Sequence, residues 1–385
     1  MKIVICCKSF SSGGGAQTWL GNMTEALLAD GHSVKILAAA GKGSMDGVEL
    51  QRLSIPPVPK TLRDLAFAKA CKKALSGERA DVVFGEHKAW GADVIMPGGG
   101  VHRFYIQQTV RSYPFAFQRA ANSLTRRLSP KELLNHHIEK KLYGAPGPAC
   151  IITNSKMIKR HVLEEYPHLE GRVEAVYNAV DCERFHPELR TRHREEVRRE
   201  LGIPSNALVG VFVAMDWRRK GLHTIIRALS ILKDRDDLPP VYAIVVGKGK
   251  VWRAAPFAWI NEVLDRLRFV GYSKPDRYYG ASDMVLLPSF FDPCANVTTE
   301  GLAVGLPVIT SKWNGGYELI SPGENGFYVD DPADAGKMAA FIEHFADEEA
   351  RDRAADSARE EALKHKMGDM YSRVKQILVD VGAES

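Results

Sequence analysis

The sequence predicts an α/β protein made of two doubly wound, parallel-sheet domains. Three observations carry this. Short β-branched runs alternate with longer helical segments, the alternation occurs twice, and a polar stretch over 183–202 separates the two series. At 385 residues the chain is also too long for one ordinary core. In the first series the strands are 2–7, 33–39, 81–86, 93–97, 150–155 and 173–179, with helices over 17–30, closed by Gly31, and over 61–75. The second series runs strand 208–214, helix 222–233, strand 241–247, helix 258–266, strand 284–289, helix 297–304 and strand 307–311. The expected domains are 1–186, joined by a last helix in 368–385, and 187–367. They are two Rossmann-like units facing a cleft.

Bulk properties narrow the function. The chain is 45% hydrophobic and 26% charged, as globular proteins are, and its net charge of +5 is too mild for a nucleic-acid binder. Six scattered cysteines without CxxC spacing argue against a zinc site or a disulfide framework. The opening MKIVICCKSF lacks the apolar length of a signal peptide, and no run approaches eighteen apolar residues. A cytoplasmic protein is expected.

In open parallel sheets, ligands lie beyond the carboxyl ends of the strands, and the motifs with chemistry follow strands here. After the first comes 9-SFSSGGGAQTW-19, where Gly14 and Gly15 allow close backbone approach to an anion. It is neither GxGxxG nor a P-loop. After strand 208–214 comes 216-DWRRKG-221. Arg219 and Lys220 at a helix start oppose the macrodipole, a conflict that a bound diphosphate would resolve. After strand 284–289, Asp292 stands in the loop and Glu300 one turn into the next helix. Ala295, Asn296, Val297 and Thr298 form the helix start, whose N–H groups are open to phosphate or sugar oxygens. Ionised carboxylates make strong acceptors for paired hydroxyls, so the two acids suit a nucleotide sugar. A tight turn, solvated cations and an exposed acid are the plain alternatives.

The run 292-DPCANVTTEGLAVGLPVI-309 resembles the acid-x7-acid segment of retaining GT-B glycosyltransferases of family GT4. T-N-S at 153–155, V-Y-N-A-V-D at 176–181, D-W-R-R-K-G at 216–221, V-V-G-K-G at 245–249 and E-N-G-F at 324–327 fall in that family's order. The opening G-G-G-A-Q and 93-DVIMPGGGVHR-103 look most like the lipopolysaccharide core glucosyltransferase group. The resemblance implies a GT-B fold and hexosyl transfer from a nucleotide sugar, with UDP-sugar expected. The acceptor would be a glycan or glycolipid such as lipopolysaccharide core, with no metal and no further cofactor. Glu300 would hold the donor ribose and Asp292, where the family usually has glutamate, the transferred sugar. Arg219 and Lys220 would neutralise the leaving diphosphate, with Gly14 and Gly15 facing it. Asp216, in the matched D-W-R-R-K-G run, and residues 295–298 would join the donor site. His102 would meet the transferred sugar, and His87, Lys88 and Arg103 the acceptor.

One segment, 102–142, carries eight cations to two acids with Phe104, Tyr105, Tyr113, Phe115 and Phe117 interleaved. It suits peripheral contact with an anionic membrane or a phosphorylated glycolipid, or else ordinary solvated helices. Two other functions share the expected architecture. A sugar-nucleotide binder without turnover fits Asp292 in place of glutamate, and a nucleotide-cofactor oxidoreductase would require the GxGxxG fingerprint that is missing.

Overall fold

The computed structural model describes residues 1–10, 15–41, 45–127 and 129–384. It forms two compact units. The first comprises Met1–Ile106, Ser123–Val176 and Gly368–Ser385; the second comprises Gln107–Asn122 and Tyr177–Met367.

In the first unit the strands are β1 (Lys2–Ser9), β2 (Ser33–Ala40), β3 (Val48–Arg52), β4 (Val82–Glu86), β5 (Val94–Met96), β6 (Cys150–Thr153) and β7 (Val173–Ala175). They pair in parallel in the order β3-β2-β1-β4-β5-β6-β7. β1 is central, with Ile3 opposite Val34 on one side and Val82 on the other. Its Ile3–Cys7 run is continuously apolar because helices cover both faces of such a sheet. Helices α1 (Gly15–Ala29), α2 (Arg63–Leu75), α3 (His102–Arg111), α4 (Ala116–Arg127), α5 (Pro130–Tyr143) and α6 (Lys156–Glu165) follow. All six cysteines of the chain are buried and free.

The second unit holds β8 (Leu208–Val213), β9 (Val241–Val246), β10 (Leu267–Gly271), β11 (Met284–Leu286), β12 (Val308–Ser311) and β13 (Gly326–Val329), in the order β10-β9-β8-β11-β12-β13. Its helices are α7 (Glu188–Glu200), α8 (Leu222–Leu232), α9 (Val251–Ile260), α10 (Asp276–Gly280), α11 (Asn296–Ala303), α12 (Ala335–His344) and α13 (Glu348–Leu363). α7 is charged almost throughout, yet it is anchored: buried Arg198 meets Asp283 at 2.8 Å, and Asp283 also accepts the Val209 N–H at 2.8 Å. The last helix, α14 (Met367–Glu384), packs on the first unit, where Tyr371 accepts a hydrogen bond from Asn22 and Lys375 pairs with Asp30.

Three expectations need correction. The boundary lies at 176/177 rather than 186, and Gln107–Asn122 belongs to the second unit. Arg218 explains the latter. Its guanidinium donates to the Thr109 carbonyl at 3.0 Å, bonds Ser112 and lies 3.9 Å over the Tyr113 ring. The helix expected over 258–266 is α9 instead, with Pro256 inside it. Proline removes one helical hydrogen bond and argues against a helix from sequence, but only one bond is lost. Finally β3, β10 and β13 were not expected. β3 and β10 are edge strands, where half-exposed residues blur the apolar signal.

Candidate functional site

The loops with the strongest motifs leave neighbouring strands. β8 and β11 pair directly, Met284 with Gly210 and Val285 with Val211. Between them the strand order reverses, since β8 leads out to β9 and β10 while β11 leads to β12 and β13. Loops leaving such a reversal diverge and open a crevice for ligand. Arg219 and Lys220 follow β8, and Asp292 follows β11. Backbone contacts hold the two loops close. The Phe290 N–H donates to the Arg219 carbonyl at 2.8 Å. Gly221 has φ +86°, and a β-carbon there would stand 2.1 Å from the Pro288 carbonyl oxygen, so only glycine fits.

Lys220 Nζ forms an ion pair with the Asp292 carboxylate, and both side chains are largely buried. Burial, and next the Arg219 guanidinium, push the Lys220 ammonium down to about 7, with Asp216 acting upward. Direct contact with Asp292 also favours the charged form. Arg219 donates from Nη1 to the Phe291 carbonyl at 2.7 Å and from Nε to Asp216 at 3.3 Å. Thus Lys220 and Asp292, expected on a diphosphate and a sugar respectively, satisfy each other. A buried charge without its partner would be costly.

α11 starts beyond the same loop, with Ala295 as N-cap and no side chain closing it. The Asn296 and Val297 N–H groups are among those a helix start leaves without intrahelical partners. Asn296 Oδ1 accepts from Asn178 Nδ2 at 2.8 Å, and the same nitrogen reaches the Cys294 carbonyl at 2.8 Å. Thr298 is buried, its hydroxyl accepting from Asn314 Nδ2 at 2.9 Å. Asn314 is the organising residue that sequence reasoning missed. Its Oδ1 accepts the N–H groups of Ala295 at 3.0 Å and Gly316 at 3.2 Å. On either side of it, Asp292 N–H donates to the Trp313 carbonyl and Gly315 N–H to the Asp292 carbonyl, both at 2.8 Å. The signal was 313-WNGG-316, directly after a strand.

Glu300, on α11, accepts the Tyr279 hydroxyl at 2.7 Å. Burial raises its carboxyl, while that hydroxyl and then the Arg184 guanidinium act downward. Arg184 is held by both oxygens of Asp276, at 2.7 and 2.8 Å. Tyr279 was likewise not singled out from sequence, and Arg184 was noted only as part of an R-F pair at 184–185, without a role. Asp216, Arg219, Lys220, Asp292, residues 295–298 and Glu300 therefore all belong to the second unit and follow adjacent strands.

The first unit holds the rest. Gly14 lies outside the described residues, and Gly15 opens α1. The His102 N–H donates to Glu139 at 2.7 Å, and its Nε2 stands 2.9 Å from Glu132. Burial pushes the imidazole down and Glu132 opposes this. Lys88 Nζ reaches Asn135 Oδ1 at 3.4 Å and is lowered by burial. His87, at φ +63°, is also lowered by burial. Burial raises Glu139 to about 7, and Glu86 likewise to about 7. Glu139 was missed because a glutamate in a basic helix reads as solvated. Arg103 stands apart, exposed and paired with Glu165 at 2.9 Å. Among the described residues no group of three or more His, Cys, Asp or Glu is placed to hold a metal.

Comparison with known proteins follows the two units. Residues 13–184 match the family model described as Glycosyltransferase Family 4, and residues 193–361 match Glycosyl transferases group 1. Spore coat protein SA of Bacillus subtilis is 29% identical over 251 residues, covering 58% of this chain and 64% of the relative. The chain spans between about half and two thirds of the length of such curated relatives. Among solved structures, WaaG, a glycosyltransferase involved in lipopolysaccharide biosynthesis, superposes with TM-score 0.76 at 19% identity, covering 98% of this chain and 99% of that one. Anabaena Alr3699/HepE in complex with UDP superposes with TM-score 0.68 at 18% identity, covering 99% of this chain and 100% of that one. The fold of both units is thus the GT-B fold.

Proposed function

We propose that this chain, whose residues 13–184 and 193–361 match the Glycosyltransferase Family 4 and Glycosyl transferases group 1 models, transfers a hexosyl unit from a UDP-sugar, with retention and without a metal. The acceptor is a glycan or glycolipid of the lipopolysaccharide core type. The observation that carries this reading is the second unit's switch point, where the Lys220–Asp292 ion pair and the Arg219–Phe291 hydrogen bond join the loops after β8 and β11, and α11, which carries Glu300, starts just beyond.

An incoming diphosphate competes with Asp292 for Lys220. Exchange leaves the ammonium and guanidinium on the phosphates and frees the Asp292 carboxylate for sugar hydroxyls. Glu300, oriented by Tyr279, accepts from the ribose. As the anomeric C–O bond breaks, the ring gains oxocarbenium character and charge accumulates on the departing diphosphate. Preorganised cations and N–H groups stabilise that charge more than the ground state. The acceptor oxygen bonds the same face, and its proton passes to the leaving phosphate oxygen. His102, His87 and Lys88 serve the sugar and acceptor side.

Support for the donor comes from HepE, whose structure holds UDP, and for the acceptor from WaaG, involved in lipopolysaccharide biosynthesis. The chain would act from the cytoplasmic side, with segment 102–142 touching an anionic membrane; no helix of the described residues is long and apolar enough to cross one. Thermal-shift screening against UDP-, GDP- and ADP-sugars tests the donor, because a ligand of the native state raises the midpoint. A UDP-sugar should give the largest rise and be hydrolysed slowly without acceptor. Binding without any turnover would favour the non-catalytic alternative.

A further inference from the structure

The second unit displays an apolar face that the transfer reaction does not use. α9, VWRAAPFAWI, buries only Ala258. Trp252 and Trp259 lie two turns apart on one side of it, 66% and 71% exposed, and Ile260 is 68% exposed. The 107–122 segment of the same unit meets α9 on the side turned away from the tryptophans, where Phe257 packs. Phe115 meets the α9 ring of Phe257 edge-on at 6.2 Å and stacks on Phe117 at 5.8 Å, and Phe117 is 71% exposed. Soluble proteins seldom leave two tryptophans and an isoleucine together on one helix face in water.

Its charge is one-sided. Residues 248–261 and 107–122 include Lys248, Lys250, Arg253 and Arg119 and no acid, a fifth cation, Arg111, being paired with Asp331 at 3.0 Å. Arg253 and Lys250 flank the Trp252 ring at 4.8 and 5.6 Å, and Arg227 lies over Phe257 at 5.5 Å. Glu262 and Asp265 line a cavity together with Trp259 and Ile260, and each is paired with a cation, Glu262 with Lys233 and Asp265 with Arg266, so the net charge of the face stays positive. A cavity of about 630 Å³ opens beside this face, with Trp217 and Ile226 in its wall and Lys248, Lys250 and Arg253 among its lining residues.

We propose that the exposed side of α9, with Trp252, Trp259 and Ile260, is an interfacial anchor by which the second unit docks on an anionic lipid bilayer. The occupant follows from the chemistry. Tryptophan favours the boundary between headgroup and acyl chain, and the surrounding cations add attraction to anionic headgroups. A protein partner with an acidic rim would satisfy the charge but would not require tryptophans standing out at both ends of a helix. The inference goes beyond the transferase reading, and beyond the basic segment 102–142, by placing the main lipid contact on α9.

The test is flotation of the full chain with vesicles of phosphatidylcholine and phosphatidylglycerol at low salt. The wild type should float with them and stay down with phosphatidylcholine alone. Trp252→Ser/Trp259→Ser, and separately Lys250→Gln/Arg253→Gln, should each weaken binding on the order of tenfold or more. Leu133→Ser, which removes an exposed apolar residue on α5, should change nothing. Both double variants should keep the thermal shift given by UDP, which shows that they fold and separates failure here from failure of the donor reading. Wild-type chain that stays down, Trp variants that float equally, or a loss seen only with Leu133→Ser would overturn the proposal. So would a dimer in sedimentation that the Trp substitutions abolish, because the face would then belong to a second copy.

Discussion

The two units present the same sheet edge with opposite electrostatics. Beyond β8 and β11 charges meet opposite charges, Lys220 with Asp292 and Arg219 with Asp216, and Arg184 before α7 meets Asp276 at the start of α10. In the first unit, beyond β4 and along α5, Glu86 and Glu139 are buried with too little positive charge to hold them ionised, and both rise to about 7. Paired charges make a clamp that a more highly charged ligand can take over. Carboxyls poised near neutrality can take up or release a proton but cannot anchor a diphosphate. On the proposed reading, the second unit is the one suited to hold phosphate.

The most severe break in that comparison is Lys220→Ala. We expect UDP-sugar turnover to fall on the order of a hundredfold to a thousandfold, the loss typical of removing one preorganised charge-stabilising group. Circular dichroism should show an intact fold. His102→Ala should cost only about tenfold, the scale of one hydrogen bond to the sugar. Equal losses, measured as kcat on the same donor, would erase the distinction between the units.

Next comes stability against pH. A carboxyl whose folded value is raised from its ordinary range to about 7 stabilises the fold while protonated, so its contribution is complete below about 4.5 and is lost as pH rises through 7. Each such group is worth on the order of a few kcal/mol. Urea unfolding of the wild type should weaken across this window, and Glu139→Gln should flatten the slope. An unchanged slope would mean that Glu139 ionises as freely in the fold as outside it.

A sharper probe is the alkaline limb of kcat/KM. Burial lowers Lys220 to about 7 and Asp292 holds its proton on, so activity should decline above that value as the ammonium is lost. Asp292→Asn removes the opposing carboxylate and should move the limb to lower pH, and Lys220→Arg should abolish it. The smallest expected effect is that of Tyr279→Phe. It deletes one hydrogen bond to Glu300 and should weaken UDP binding about fivefold by calorimetry, near 1 kcal/mol.

Much of the second unit's site was readable because its residues lie in short contiguous motifs following apolar strands. Arg219, Lys220, Asp292 and Glu300 were named from 216–221 and 292–300, and the structure brings these motifs to adjacent strands. Asn314 and Tyr279 were not, and Arg184 was given no role, since each acts through a contact between segments distant in the chain. His102 was read as facing a sugar, yet it opens α3 between two glutamates of α5 that no local pattern linked to it. The aromatic run at 104–117 was read as one surface and is divided: Phe104 is buried in the first unit, and Phe115 joins Phe257 in the second.

By itself the sequence determined the alternation of strands and helices, the two-sheet architecture and the side of the strands on which the chemistry lies. Those are set by apolar periodicity and by glycines and charges at strand ends, all local in the chain. Only the tertiary structure decided which charges neutralise one another, which carboxyls are driven toward neutrality and which aromatics stay in water. Pairing energies and desolvation depend on distances between residues far apart in sequence, and folding alone sets those distances.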